Sequence, residues 1–306
     1  MSSIQARTPR ARWSWIATGG LVAVVALSAL GAPAAFATSH DQAGPGQAPE
    51  ATAPAAVAVR HPISVTAIAQ QMQTAIQAAS PGTTVGIDVV DTTTGTAIAS
   101  LNADQQFYTA SVVKLLIALD TLGSQGAQPD PDTAAKVTQM LSASDDDIAD
   151  QLWELGGNDA IIDRMVAAIG LTATTAPEDT AQWGETLTTP RDVVAIFHYI
   201  TATAPAATRD LILGALRDTA RTAADGTDQF FGIPDALTGK TWAVKQGWMD
   251  LNSSTTLDTT GLVGPSPDQP YRYAVVVLST QPAGTSWPVA GAALTAGVTL
   301  LHAALK

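Results

Sequence analysis

The stretch FYTASVVKLLIALDTL, residues 107–122, is the most informative part of the sequence, because a serine and a lysine in it precede the pattern of a buried helix. Ser111 and Lys114 stand three positions apart, and an apolar run follows them. Three residues make nearly one helical turn, so a helix that opens at Ser111 places the lysine amine beside the serine hydroxyl. A lysine whose pKa is lowered can take the proton of such a hydroxyl and make it a nucleophile. By itself the pattern is a weak signal, since a chain of this length contains about one such pair by chance.

A second motif lies in residues 140–157, MLSASDDDIADQLWELGG. The sequence predicts a helix that is capped by Ser144 and that stops at the two glycines, with Asp145, Asp146 and Asp147 complementing the dipole of its first turn. Clustered acids can also bind calcium or magnesium, but the residues that follow are helical rather than glycine-rich. We therefore predict no metal site.

A third motif, Lys245-Gln246-Gly247, lies in WAVKQGWMD, residues 242–250. The surrounding residues have a strand pattern, and a lysine on an edge strand is also a common device against aggregation. The order Ser-x-x-Lys, Ser-Asp-x, Lys-x-Gly is more informative than any one of the three motifs.

In that order the motifs resemble the SxxK, SDN and KTG signature of the serine β-lactamase and penicillin-binding protein-like superfamily, and the chain is closest to its class A β-lactamase-like serine hydrolases. The likeness covers residues 61–306, including TTP at 188–190, which resembles the end of the family's omega loop. It implies an α/β (α+β) fold of the β-lactamase/transpeptidase type, with a mainly antiparallel five-stranded sheet flanked by helices and an inserted all-helical subdomain. The sheet subdomain would comprise 61–106 and 223–306, and the helical subdomain 107–222.

The resemblance also implies a role for each matching residue. Ser111 would attack a carbonyl carbon and become acylated, and Lys114 would accept its proton. Ser144 would relay a proton to the leaving nitrogen, while Lys245 would hold Ser144 and attract a substrate carboxylate. The backbone N–H groups of Ser111 and Trp248 would form the oxyanion hole.

We expect Asp146, Gln246 and Gly247 to bind substrate. The first two depart from the family pattern. Asp146 replaces the family's Asn, and a carboxylate accepts hydrogen bonds but cannot donate one as an amide does. Its charge beside Lys114 would also raise the pKa that the mechanism needs lowered. Gln246 replaces Thr and removes a hydroxyl that would help to hold a substrate carboxylate.

Class A enzymes also need an omega-loop glutamate that activates the water for deacylation. The corresponding region here, residues 170–190, is shorter than in the family. Glu178 is our candidate for this glutamate, and Glu185 is a weaker one. The alternative is that Glu178 is only a solvated acid of the loop.

Elsewhere, local patterns predict most of the remaining elements. A hairpin turns at TTTG, a helical block extends to about residue 222, strands follow, and an apolar helix packed on the sheet ends the chain. The predicted segments are helices at 64–79, 159–169 and 188–203, strands at 83–91, 96–104, 240–250, 254–264 and 271–280, and the last helix within 286–306.

The N-terminal region has the composition of a targeting segment. Residues 1–37 contain three arginines, an apolar stretch and a small-x-small pattern at Ala35-Phe36-Ala37, which predict a secretory signal peptide. An uncleaved membrane anchor is the alternative. Residues 38–60 are rich in Ala and Pro without apolar periodicity and predict a disordered linker. We expect secretion to the cell envelope, a monomer, and no stable membrane span after cleavage.

Composition excludes several classes of function. The net charge is −12, and loss of the three leader arginines would make it −15, which disfavours nucleic-acid binding. The chain has no cysteine, so disulfides, thiolate zinc sites, cysteine nucleophiles and a lipobox are excluded. No metal or organic cofactor is implied.

The sequence therefore predicts a secreted serine hydrolase that acylates Ser111 with a β-lactam or a peptidoglycan-like amide and then hydrolyses the adduct. Two alternatives stay open. One is a non-catalytic or slowly turning over protein that binds penicillin or cell-wall fragments, and the other is a DD-peptidase or esterase.

Overall fold

A computed structural model describes residues 64–125, 129–267 and 269–306. The predicted signal peptide and linker, residues 1–37 and 38–60, lie outside the described residues. Within the described ranges, no helix is long and apolar enough to cross a membrane.

The centre of the fold is a five-stranded antiparallel sheet with the order β2-β1-β7-β6-β5. The two ends of the chain supply its strands, which confirms the predicted sheet architecture and the β1–β2 hairpin. The strands are β1 Thr84–Asp91, β2 Thr96–Leu101, β3 Phe107–Tyr108, β4 Leu187–Thr188, β5 Trp242–Asp250, β6 Ser254–Val263 and β7 Tyr273–Pro282. Strand β5 is an edge strand, and β6 beside it is buried at every residue.

Helices cover both faces of this sheet. They are α1 Val65–Ala79, α2 Lys114–Ser124, α3 Pro131–Ser142, α4 Asp146–Leu155, α5 Ala160–Ile169, α6 Pro190–Ala202, α7 Ala206–Arg217, α8 Ile233–Ala236 and α9 Trp287–Thr299, with 3-10 turns at Ala110–Val113 and Trp183–Glu185. One apolar core joins α1 and α9 to the sheet, and a second lies among α2 to α7 and the opposite face. Helices α1 and α9 pack closely, since a Cβ on Gly297 would lie 2.6 Å from Ile76 Cγ1.

Several predicted helix ends are confirmed. Thr189 caps α6, with Pro190 in the first turn, and the Thr189 hydroxyl accepts a hydrogen bond from the Asp192 N–H. Gly170 ends α5 in the left-handed conformation, at φ 79°. These ends depend on neighbours within one turn, so the sequence could specify them locally.

The predicted cap of α4 is wrong. Asp145, not Ser144, caps this helix, and its carboxylate accepts a hydrogen bond of 3.1 Å from the Ile148 N–H. Ser144 instead has φ 53°, and its hydroxyl accepts hydrogen bonds from lysine side chains. Serine and aspartate are both strong capping residues, so the tertiary contacts of Ser144 decide between them.

The predicted block of helices is also interrupted by a short ladder. Phe107 pairs with Thr188 and Tyr108 with Leu187, forming the two-residue strands β3 and β4. The Thr109 N–H extends this pairing by donating to the Thr186 carbonyl at 2.9 Å. The ladder ties the segment before Ser111 to the loop that precedes α6. Two residues are too few to show strand alternation, so the sequence pattern did not indicate it.

Candidate active site

Ser111 lies in the 3-10 turn that leads into α2, and Lys114 is the first residue of that helix. The lysine Nζ donates to the serine Oγ at 3.0 Å. Lys114 is fully buried and Ser111 is 4% exposed. Ala110 adopts φ 40°, which is uncommon for a residue with a Cβ and is a form of strain found at functional sites. The turn therefore holds the hydroxyl and the amine in contact.

The Lys114 amine connects Ser111 to the second motif. It donates to the Ser144 carbonyl at 2.8 Å and to the Ser144 hydroxyl at 3.3 Å, and it contacts the Asp146 carboxylate. Burial lowers the pKa of Lys114, and the negative charge of Asp146 offsets part of that effect. Burial is the larger cause, so the pKa of Lys114 lies below its ordinary value, which is the direction that a general base requires.

Lys245 brings the third motif to the same hydroxyl. Its Nζ donates to Ser144 Oγ at 2.8 Å and to the Gln246 carbonyl at 2.9 Å. Burial lowers the pKa of Lys245 far below its ordinary value, and the nearby charge of Lys114 lowers it further. The structure thus brings together the four groups Ser111, Lys114, Ser144 and Lys245, which come from three separate parts of the chain.

Gly247 fits this arrangement because it has no side chain. A Cβ at this position would lie 2.8 Å from the Thr109 carbonyl oxygen and 3.2 Å from Val112 Cγ2. The glycine therefore lets strand β5 approach the turn that holds Ser111. The next residue, Trp248, has its backbone on the same strand, and its indole N–H donates to Asp225 Oδ2 at 2.9 Å.

The Gln246 side chain lies away from the cluster. It is fully buried, and its amide donates to the carbonyls of Gln229, at 3.2 Å, and Phe231, at 2.7 Å. Successive strand residues point to opposite faces, so Lys245 and Gln246 diverge. The structure does not bring this amide to Ser111.

Glu178 is not brought to the cluster either. It is exposed in the loop between α5 and α6, and it has no hydrogen bond or ion pair with any residue that the structure describes. Within that part of the chain, no group of three or more His, Asp or Glu side chains could hold a metal ion.

A different residue of this loop, Trp183, contacts Lys114, and the sequence did not predict this contact. The Trp183 ring centre lies 4.9 Å from Lys114 Nζ, a distance typical of a cation–π contact. The Trp183 indole N–H donates to Asp150 Oδ1 at 2.8 Å. Trp183 belongs to no motif with a fixed spacing. The one sequence signal for it is its position in the loop that also contains Glu178.

Comparisons with known proteins agree with this architecture. A family model described as "Beta-lactamase enzyme family" (Beta-lactamase2) matches residues 67–129 and 133–296. A protein named "Putative lipoprotein LppW" from Mycobacterium tuberculosis is 34% identical over 216 residues, which are 68% of this chain and 66% of that protein. The chain thus spans just under two thirds of the length of this relative.

Two solved structures show the same fold. A β-lactamase from Chitinophaga pinensis superposes with a TM-score of 0.62 at 16% identity, covering 78% of this chain and all of that one. A point mutant of PBP-A, solved as an acyl-enzyme complex with penicillin G, superposes with a TM-score of 0.60 at 20% identity, covering 77% of this chain and 96% of that one. Identities this low support the fold and not a shared activity.

Proposed function

The chain belongs to the beta-lactamase enzyme family, and we propose that it is a serine hydrolase that acylates Ser111 with a β-lactam or a peptidoglycan-like amide. The single observation that supports this most is the 3.0 Å contact between Lys114 Nζ and Ser111 Oγ. A serine hydroxyl needs a base at hydrogen-bond distance, and burial lowers the pKa of this lysine toward that use.

In the proposed acylation, Ser111 Oγ attacks the carbonyl carbon of the substrate and its proton passes to Lys114 Nζ. The N–H groups of Ser111 and Trp248 stabilise the negative oxygen of the tetrahedral intermediate. The carbon–nitrogen bond then breaks, and the Ser144 hydroxyl relays a proton: it gives its own proton to the departing nitrogen and takes back the one held by Lys114 Nζ, which lies 3.3 Å from Ser144 Oγ. Lys245, 2.8 Å from that hydroxyl, orients it for the transfer.

Deacylation is the step that this site supports least. Hydrolysis of an acyl-enzyme needs a base that activates water. Glu178 is exposed, and the residue of its loop that approaches Lys114 is Trp183, whose indole is no base. This favours a second candidate function, a penicillin-binding protein that is acylated and then releases its adduct slowly.

We further propose that the protein is exported to the cell envelope and acts there on small-molecule or peptidoglycan-like substrates. Residues 1–37 would be the signal peptide, 38–60 a linker and 61–306 the hydrolase domain. The name of the mycobacterial relative is that of a lipoprotein, which supports an envelope location. Because this chain contains no cysteine, it lacks the thiol that bacterial lipid anchors use.

The test is covalent labelling followed by intact-mass measurement. A fluorescent penicillin and a neutral fluorophosphonate are each incubated with the wild type, with Ser111→Ala, and with Ser124→Ala as a control on the exposed end of the same helix. We expect the wild type and the control to gain the adduct and Ser111→Ala to remain unmodified. Equal labelling of Ser111→Ala would refute the nucleophile assignment. The lifetime of the penicillin adduct separates the two candidates, since a hydrolase loses it and a slow binding protein keeps it.

A further inference from the structure

We propose that two buried glutamines, Gln229 and Gln246, are positioning residues that hold the Ser144 hydroxyl in place for proton transfer to the leaving nitrogen. We call these two residues the glutamine brace. The inference deepens the proposed function and rests on it, because it concerns the group that protonates the departing nitrogen at the same site. The brace acts through Ser144 rather than on the substrate itself.

Ser144 needs support because its backbone is strained. Its φ is 53°, in the left-handed region that residues with a Cβ seldom adopt. It lies between the end of α3, at Ser142, and Asp145, the cap of α4. Strained residues of this kind persist only where the surrounding structure fixes them. The position of Ser144 therefore depends on contacts with other parts of the chain.

Gln229 provides one such contact, from the loop of residues 218–232 between α7 and α8. Its side chain is fully buried. Its Nε2 donates to the Ser142 carbonyl at 3.0 Å and to the Ala220 carbonyl at 2.8 Å. One amide group thus joins the end of α3 to the start of this loop.

Backbone hydrogen bonds join the same two segments. The Ser142 carbonyl also accepts from the Ala220 N–H at 2.9 Å, and the Ala143 carbonyl accepts from the Ala224 N–H at 2.8 Å. Both residues that precede Ser144 are therefore bound to the loop. A displacement of the loop would move the chain that leads into Ser144.

Gln246 fastens this loop to strand β5. It is fully buried, and its Nε2 donates to the carbonyls of Gln229, at 3.2 Å, and Phe231, at 2.7 Å. The preceding residue of the strand, Lys245, donates to the Ser144 hydroxyl at 2.8 Å. Strand β5 thus acts on Ser144 in two ways, directly through Lys245 and indirectly through Gln246 and the loop.

Both amides of the brace act as hydrogen-bond donors. Each Nε2 lies against two backbone carbonyls, which fixes the orientation of the amide, since the reversed amide would place oxygen against oxygen. Among the residues that the structure describes, neither Oε1 has a hydrogen-bond partner. The donated bonds are therefore what these two side chains contribute.

The test separates a reaction that needs the Ser144 proton from one that does not. When a penicillin acylates Ser111, the carbon–nitrogen bond breaks and the nitrogen must take up a proton. When a neutral fluorophosphonate labels Ser111, the phosphorus–fluorine bond breaks and fluoride leaves as an anion. In both reactions the proton of Ser111 Oγ passes to Lys114, so only the first reaction reports on Ser144.

Second-order rate constants for both reactions are measured with the wild type, Gln229→Met and Gln246→Met. The two variants remove the brace at different ends, so one can stand for the other if a variant does not fold. Gln281→Met is the matched control. Gln281 is also buried, at 1% exposure, but it lies on β7 and its amide bonds to Ser80 and Ala290.

We expect each variant of the brace to slow penicillin acylation about tenfold, since complete loss of a general acid costs about 10²–10⁴-fold and a displaced one costs less. Fluorophosphonate labelling should change by about twofold or less, and the control should change neither reaction. Equal losses in the two reactions, or no loss with penicillin, would overturn the inference while labelling of Ser111 left the proposed function intact.

A Ser144→Ala background shows whether the brace acts through the hydroxyl. Ser144→Ala should itself slow penicillin acylation. Adding Gln229→Met should then cause no further loss, because the group that the brace positions is already absent. A second tenfold loss in the double variant would show that Gln229 acts elsewhere and would contradict the inference.

Hydrogen exchange decides the case in which penicillin does not react. The N–H groups of Ala220 and Ala224 donate to the carbonyls just before Ser144, so loss of the brace should speed their exchange. Exchange at least about fivefold faster in Gln229→Met, and unchanged in Gln281→Met, would support the brace even if the absence of a Ser111 adduct had refuted the proposed function. Equal exchange in Gln229→Met and the wild type, measured by NMR, would overturn the inference.

Discussion

Asp146→Asn should speed acylation of Ser111 by about two- to fivefold at pH 7. The Asp146 carboxylate contacts Lys114 Nζ and raises the pKa of this lysine against the larger, opposite effect of burial. Asparagine keeps the size and removes the charge, so a larger fraction of Lys114 is uncharged and able to accept the serine proton. With 58% of the Asp146 side chain exposed, solvent screens the pair, and such pairs are worth about 0.5–1 kcal/mol. At about 1.4 kcal/mol per tenfold change in rate, that energy corresponds to the stated range.

The assay is the second-order rate constant for labelling by a neutral fluorophosphonate, because a neutral probe is insensitive to the charge of the site. Rates are measured from pH 6 to pH 10 for the wild type, Asp146→Asn and the control Asp147→Asn. The gain of Asp146→Asn should disappear at high pH, where Lys114 is uncharged in every protein. An unchanged or slower rate at pH 7, or a gain of the same size at all pH values, would refute the reasoning.

Three further perturbations test the site and strand β6 beside it, where Asp258 pairs with Gly247. Gly247→Ala should lower the free energy of unfolding by about 1–3 kcal/mol, since its Cβ would lie 2.8 Å from the Thr109 carbonyl oxygen; urea denaturation measures this, and a loss below about 0.5 kcal/mol would contradict it. Asp258→Asn should flatten the pH dependence of stability: burial raises the pKa of Asp258 well above 3.8, so its contribution is present below pH 3.8 and is lost as the pH rises through the folded-state pKa. Urea titrations from pH 3 to pH 8 that gave the same slope with and without Asp258 would exclude this. Trp183→Ala should shorten the lifetime of the penicillin adduct, because water could then reach the space beside Lys114; an unchanged lifetime by time-resolved mass measurement would show that this indole does not limit deacylation.

Local signals account for the parts of the fold that the sequence predicted. The cap at Thr189, the left-handed stop at Gly170 and the hairpin each depend on residues within a few positions. Apolar periodicity predicted which segments pack together. The order of the three motifs, each weak by itself, indicated the family of the chain. The four-group cluster could therefore be anticipated from a resemblance, although no single spacing implies it.

The features that the sequence did not reveal depend on contacts between distant residues. The sequence around Ser144 is typical of a helix cap. In the structure, however, Lys245, 101 positions later, donates to the Ser144 hydroxyl. Trp183 contacts Lys114, and Asp225 accepts a hydrogen bond from Trp248. Both residues lie in loops that have the composition of ordinary solvated loops. Gln246 stands in a motif position, yet the alternation of β5 turns its side chain to the other face of the sheet. Such facts follow from tertiary packing, which local propensities do not encode.

The most direct test of an activated Ser111 is the pH dependence of its fluorophosphonate labelling, with the modified residue located by peptide mass mapping in the wild type and in Lys114→Met. We predict an adduct on Ser111 alone, a rate that rises with pH and levels off below the ordinary lysine pKa of 10.5, and a loss of at least about 100-fold in Lys114→Met. An adduct on another residue, or equal rates in the two proteins, would contradict the assignment of this serine and lysine as nucleophile and base.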